Sequence, residues 1–475
     1  MSVLHGVNAN RADTSYHVKA KTTSGIPIYF GCAPVHTAGG FTGKVQLAKN
    51  FAEAKALLGY SDAWKDGLSP KWSLCEAIYS HFVLFGASPA LFYNLFDPAT
   101  HKSAVAEAAK TVTDHAVKLP LDCVNVTSVK DDGTALVKGT DYDVFYDGEN
   151  CVIELISGGD HYSATSLTVA YDGAVFTAIN AAAVETALAK IDECKTLLGV
   201  VPDLICAPGW SNTPSVAAVM AAKAAKFGNL YRAKAVVDIP TASVTAVSGL
   251  KTYKQANGYD DNNVIPYWLD YKIGNKIFHL STIACGVMAT IDSENGCPSA
   301  SPSNVAIPSG VTGIDGGGSG FTEKILTLEE ADAVSVTAGV GSAINFDGWR
   351  LWGNYTGGGN EESDVAKKFI CTSRMQDFLC NHFVDDFYTS IDRPLTPALI
   401  DSVVNEYNAW LNGLASDGHL YGGEISYIED NNSTDDLING HFRLDAKSAS
   451  PVPAQRIDMV AEYDVDILVA AFSAE

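Results

Sequence analysis

The chain has 475 residues, 47% hydrophobic and 18% charged, with a formal net charge of −23. That composition describes a folded protein with enough length for about three ordinary domains, and it excludes a disordered polymer. The negative charge argues against nucleic acid or an anionic membrane surface as partner, because phosphates demand clustered Lys and Arg, and it suits a protein that stays soluble before it assembles.

The opening MSVLHGVNANRADTSYHVKAK lacks the apolar core of a signal peptide, and no apolar run approaches the roughly 18 residues of a membrane span. Residues 1–22 read as an arm too polar and short to form a core, with weak strand alternation at Tyr16, Val18 and Ala20. IPIYFGCAP (26–34) reads as a buried strand ending in a turn. NFAEAKALLG and SLCEAIYSHFVLFG follow as helices, the second with Leu74, Ile78, Phe82 and Phe85 on one face, and PALFYNLFDP reads as the next strand. Residues 113–173 change character: short Val-, Tyr- and Ile-rich runs are broken by DDG, YDGEN and SGGD, which are hairpin signals, so this block is expected to be a small all-β insertion.

The α/β rhythm returns at TAINAAAVETALAKIDECKTLLG, a helical stretch, and PDLICAPGW, a buried strand. NTPSVAAVMAAKAAKFGN has Thr213 to cap a helix, Pro214 for its first turn and Gly228 for its end, with Val216, Val219, Met220, Ala224 and Phe227 as its buried stripe. AKAVVDIP and IPYWLDYK are further strands. Strand–helix alternation of this kind argues for a largely parallel sheet in an α/β layer. After the glycine-rich IPSGVTGIDGGGSGF come a short helix capped by Thr327, the strand DGWRLWGNYT, and two long helices: one over about 364–388 and one from Pro397 to Gly413. The second presents Ile400, Val403, Val404, Tyr407, Trp410 and Leu411 as its apolar face. YGGEISYIED and INGHFRLDAKSASP precede a terminal segment in which Ile457, Met459, Ala461, Tyr463, Val465, Ile467 and Val469 occupy alternate positions, the pattern of a half-buried strand.

Motifs that suggest chemistry are incomplete. AGGFTGKV (38–45) has Ala38 and Val45 where a phosphate-binding loop needs Gly and Ser or Thr. GWSNT (209–213) has Thr213 where a nucleophile elbow needs Gly, which leaves Ser211 as a weak candidate for a hydrolase nucleophile. The eleven histidines form no HExxH. His382, Asp385 and Asp386 share one helical turn that reads as a solvated polar face, and Asp292 and Glu294 lie at a helix end without a cleft signature. The ten cysteines contain no CxxC and sit mostly in apolar company, as buried thiols of a reducing compartment do. No metal or other cofactor is expected, and no catalytic residue is assigned.

Several of these pieces together resemble the tail sheath proteins of contractile phages and of R-type bacteriocin particles. The resemblance rests on LICAPGWSNTPSV, with its strand, APGxS turn and helix, and on VVDIP, GVMATIDSENGCPSASPSN and GWRLWGNYT. FICTSRMQDFLCNHFVDDFYTSIDRPLTPALIDSVVNEYNAWLNGL and the early YFGCAP extend it over most of the chain in the same order. The chain departs from the family after Asp292: SENGCPSASPSN replaces the Arg or Lys and Trp often found there, which puts any family-specific salt bridge at that place in doubt.

The resemblance implies a multidomain α/β tail-sheath fold. The arm is 1–22, an α/β middle domain spans 23–112 and 174–345, the β-insertion is 113–173, and a C-terminal inner domain (346–475) faces a tube and ends in a strand at 457–469. It implies a structural subunit, not an enzyme, in a virion tail or tail-like particle assembled in a bacterial host's cytoplasm. Its partners would be further copies in hexameric rings, an inner tail tube protein, and baseplate and tail terminator proteins. Tyr16, Val18, Ala20, Ile457, Met459, Tyr463, Val465, Ile467 and Val469 would link neighbouring subunits by strand exchange, an established binding mode. A soluble hydrolase-like enzyme and a monomeric binding protein that uses the β-insertion are the alternatives.

Overall fold

A computed structural model describes residues 24–62, 64, 71–315 and 320–473. Its centre is a six-stranded sheet in the order Val264–Tyr267, Lys234–Asp238, Leu204–Cys206, Pro27–Gly31, Ala90–Asn94, Val45–Ala48. The first five strands are parallel, and the last pairs antiparallel at one edge. Side chains on a strand alternate between faces. Ile28, Phe30, Ile205, Ala235, Val237 and Val264 therefore enter one core, while Tyr29, Leu204, Cys206, Val236, Ile265 and Tyr267 enter another on the opposite face. Helix Pro214–Ala225 covers the first face, and helices Ser73–Tyr79 and Leu280–Asn295 cover the second. Burial on both faces is why these strands read as continuous apolar runs.

The β-rich block starts earlier than 113. Lys102–Thr111 is a ten-residue edge strand paired antiparallel with Ser166–Ala174, which pairs in turn with Cys123–Asp131. The alanine-rich KSAVAEAAKT carries little intrinsic strand preference, so its neighbour's register decides its conformation. A second sheet orders Ala116–Pro120, Asn150–Leu155 and Tyr142–Tyr146, and Val117, Leu119, Val129, Ile153, Leu155, Leu167 and Val169 fill the space within the block. The DDG signal is a tight hairpin between Cys123–Asp131 and Thr134–Ala135, with Asp132 and Gly133 both at positive φ.

The C-terminal helices depart from expectation in two places. The first is interrupted at Phe369, giving Val365–Lys368 and Ile370–Phe387, because the Ile370 N–H donates to Asn354 O and the Lys368 carbonyl accepts from Thr356 N. The second runs from Pro397 through Gly413 to Ser416, with the Thr396 side chain accepting from Leu399 N as its N-cap. Met375, Phe378, Leu379, Val403, Tyr407, Leu411, Leu420 and Ile425 form the core of this module, over which lies a two-stranded antiparallel sheet, Gly422–Tyr427 with Leu444–Ala449.

The terminal strand expected at 457–469 is absent from the isolated chain. Ile457, Met459 and Tyr463 lie in an irregular segment, while Val465, Ile467 and Val469 fall in helix Val465–Ser473. A strand needs a neighbour to satisfy its backbone, whereas a helix satisfies its own. Tyr16, Val18 and Ala20 lie outside the described residues. Thr213 stands at the helix start without a side-chain cap bond.

Candidate assembly interface

Open α/β sheets place ligands outside the carboxyl ends of their strands. Here that position is plugged. Asp238, the last residue of its strand, accepts from the Ser281 N–H at 2.9 Å and the Ser281 hydroxyl at 2.6 Å. Glu76 accepts from the His279 N–H at 2.7 Å and the Thr282 hydroxyl at 2.9 Å. Together the two carboxylates cap helix Leu280–Asn295, whose N-terminal N–H groups have no partner within the helix. His279 sits between Glu76 and the two aspartates Asp238 and Asp270. Burial pushes its pKa down, but the Glu76 carboxylate and the aspartates outweigh burial and hold it up at about 10. Burial pushes the Asp270 carboxyl up to about 7.

Ser211 is fully buried beside this plug: its hydroxyl donates to Asp238 Oδ2 and accepts from Asp238 N, both at 3.1 Å. It ties one strand end to the next turn, and among the described residues its hydroxyl bonds Asp238 and no imidazole, which gives the nucleophile reading no support. The 382–386 turn is likewise not a solvated face. His382 is buried and stacked on Trp410 with ring centroids 3.6 Å apart, and its Nδ1 lies 3.0 Å from Asp386. Asp385 accepts from Tyr231 and pairs with Lys195. Among the described residues no group of three or more His, Cys, Asp or Glu could hold a metal, and no helix is long and apolar enough to cross a membrane.

Asp292 also has a role that sequence reasoning missed. It is fully buried and paired with both Nη atoms of Arg374, whose Nη2 also donates to Asp203 at 2.6 Å. Burial pushes the Asp292 carboxyl up to about 6 even against the attraction of Arg374. The bridge stands at Asp292, just before the stretch where the chain departs from the family pattern, and its cation comes from the C-terminal module. Removing one member of such a buried group costs about 3–5 kcal/mol, because a charge is left without its partner.

The surface feature without a function inside the single chain lies at the C-terminus. Ile457, Met459 and Tyr463 are 89%, 87% and 74% exposed, and Val465, Ile467, Val469 and Phe472 are exposed beyond them. With Val460 and Leu468 these make nine exposed large apolar side chains in one short segment, a surface that soluble monomers rarely carry without a partner. Near its root the segment touches the body where the Tyr355 hydroxyl donates to Gln455 Oε1 at 3.2 Å.

The two-stranded sheet offers a complementary edge. Asn408 Oδ1 accepts from Ile425 N at 2.7 Å and its Nδ2 donates to Ile425 O at 3.0 Å. Those backbone groups point away from Leu444–Ala449, so the outer side of Gly422–Tyr427 is already engaged at its middle. On the outer side of Leu444–Ala449 the register turns the backbone of Leu444, Ala446 and Ser448 outward, and no strand pairs with it among the described residues. An edge of this kind is a template for an incoming strand.

No family model matches the sequence. The tail sheath protein of Burkholderia phage BcepMu is 26% identical over 420 residues, covering 83% of this chain and 84% of that protein. The tail sheath protein of Escherichia phage P2 is 26% identical over 274 residues, 56% of this chain and 64% of that one. Both of these relatives are phage tail sheath proteins. Solved structures give the same fold at lower identity. The sheath complex of an extracellular contractile injection system, PVC, in its contracted state superposes with a TM-score of 0.58 at 14% identity, over 98% of this chain and 100% of that one. The contracted helical sheath of the anti-feeding prophage gives 0.55 at 14% identity over the same shares. A sheath tail protein from Desulfitobacterium hafniense gives 0.52 at 14% identity, over 89% of this chain and 93% of that one. An exposed apolar segment and an open sheet edge are what a chain that adds strands to other copies would present.

Proposed function

We propose that this sheath subunit is knitted to its neighbours by donated strands. Residues 457–469 of one copy add to the outer side of Leu444–Ala449 in another, and the segment holding Tyr16, Val18 and Ala20 links copies in the same manner. The subunits stack as hexameric rings around an inner tail tube protein, between baseplate and terminator proteins, in a tail or tail-like particle assembled in a bacterial host's cytoplasm. The role is structural, with no enzymatic step: contraction releases a metastable lattice into a better-packed one, a bistable switch that needs no nucleotide.

The observation that carries this reading is the coexistence, in one chain, of an exposed alternating apolar segment and an open sheet edge. Charge supports it: residues 456–475 carry five acids against Arg456, whereas 1–21 carry Arg11, Lys19 and Lys21 against Asp13. Ordering about eight arm residues costs roughly 8–16 kcal/mol of backbone entropy. Three or four buried apolar side chains return about 1.5–3 kcal/mol each, and ladder hydrogen bonds about 0.5–1.5 each. A single arm is therefore near break-even, and repetition through a lattice makes the linkage firm. Deletion of 457–475 tests the reading: the folded, truncated subunit is expected to form no sheath-like polymer, and tubes of normal length would refute it.

A further inference from the structure

Residues 24–26, at the root of the N-terminal segment, are held in an unusual way. Asp203 Oδ1 accepts from Ile26 N at 2.8 Å and Oδ2 accepts from Gly25 N at 3.1 Å, while the Asp203 N–H donates to Ile26 O at 3.1 Å. Gly25, at φ +74°, lies so close to helix Leu280–Asn295 that a Cβ would come within 2.9 Å of Ala289 Cα and Asp292 Cβ. The same Asp203 Oδ2 accepts from Arg374 Nη2, and Arg374 reaches on to Asp292. The Arg374 side chain is 2% exposed and that of Asp292 0%. One buried guanidinium thus joins the arm root, the α/β layer and helix Ile370–Phe387 of the C-terminal module at a single point.

We infer that the Asp203–Arg374–Asp292 hub is a positioning device for assembly. It locks the exit of the N-terminal arm to the module that bears the acceptor edge, so that the lattice of arms and edges runs through each subunit by one ionic joint. The covalent route from Gly25 to Arg374 instead runs through the whole α/β domain and the β-insertion. Arginine suits the joint because its planar fork holds two carboxylates in fixed directions, which a lysine cannot do. The inference rests on the strand-linkage reading above, and the experiment separates the two.

Asp203→Asn keeps one acceptor but turns an NH2 group either toward Ile26 N–H, in place of Oδ1, or toward Gly25 N–H and Arg374, in place of Oδ2, so donors face donors. The full-length variant is compared with wild type by amide exchange at Gly25 and Ile26 and by the protein concentration at which polymer forms, measured well below the unfolding temperature. Two companions are run: insertion of Gly-Ser-Gly between Thr23 and Ser24, which loosens the arm without touching the hub, and deletion of 1–21. Folded Asp203→Asn is expected to lose protection at Gly25 and Ile26 and to need about threefold or more protein to polymerise, because a loosely aimed arm has a lower effective concentration. The insertion variant is expected to do the same with an unchanged Tm, which a merely stabilising hub does not predict. Unchanged protection in Asp203→Asn, or wild-type polymerisation after protection is lost, overturns the inference. Should Asp203→Asn not fold, wild-type polymerisation by the insertion variant overturns it alone. If the 1–21 deletion also polymerises normally, the strand-linkage reading fails; if the deletion abolishes polymer while Asp203→Asn matches wild type, only the hub inference fails.

Discussion

His279 Nδ1 lies 2.8 Å from Glu76 Oε2, and each of these side chains is 3% exposed. The pair is a buried charge–charge contact at the start of helix Leu280–Asn295, and its pH dependence has a definite sign. His279 titrates near 10 in the fold and near 6.5 unfolded, so between those values only the folded state holds the proton. The stability this gives is fully present below about pH 6.5 and is lost as pH rises toward 10, at up to about 1.4 kcal/mol per pH unit. Asp270, pushed up to about 7, adds a loss of the same sign between about pH 4 and 7. Denaturant unfolding of wild type should show falling stability from pH 6.5 to 10. His279→Gln should be less stable at pH 7, with the slope between about pH 7 and 8 flattened.

Two glycines should respond to alanine in opposite directions. Gly413 sits inside helix Pro397–Ser416 with nothing within 4 Å of a would-be Cβ, so Gly413→Ala should stabilise by about 0.5–1 kcal/mol. At Gly357 a Cβ would meet the carbonyl oxygens of Asp261 at 2.3 Å and Tyr259 at 2.6 Å, so Gly357→Ala should cost about 1–3 kcal/mol as backbone moves aside. Thermal denaturation of the two variants beside wild type checks both signs.

Asn408 is the clamp that fastens the two-stranded sheet to its helix. Asn408→Ala strands the N–H and C=O of Ile425, a buried residue, and should cost about 1–3 kcal/mol. Amide exchange should localise the loss to Gly422–Tyr427 and leave the central sheet protected as in wild type.

Most of the α/β layer could be read from the sequence because its signals are local. Thr327 caps its helix as read, with Glu330 completing a capping box, Pro397 opens its helix, and the parallel strands appear as apolar runs. Signals that depend on distant partners were not legible. Arg374 finds Asp203 across 171 residues and Asp292 across 82, and no local pattern marks any of the three. Lys102–Thr111 is a strand because of its neighbour, against its alanine-rich composition. The terminal segment is the instructive case. Its alternation from Ile457 to Val469 fits a strand, yet Val465, Leu468, Val469 and Phe472 also fit one helical face, and in the single chain the helix forms. A pattern of period two shows that a partner face is wanted; it does not show that the partner is in the same molecule.

Charge placed in that segment should separate folding from assembly. Ile457→Asp with Met459→Asp changes two side chains that are almost wholly exposed, so the monomer's Tm should shift by no more than about 0.5 kcal/mol equivalent. Polymer yield, followed by sedimentation and negative-stain microscopy, should fall to a small fraction of wild type.

The most direct measurement is a cryo-EM structure of the polymer formed by the full-length chain, read at residues 457–469. The account predicts an extended strand hydrogen-bonded to the outer side of Leu444–Ala449 in a neighbouring copy, with Ile457, Met459 and Tyr463 buried. A polymer in which this segment packs on its own subunit, or still projects into solvent, would contradict it.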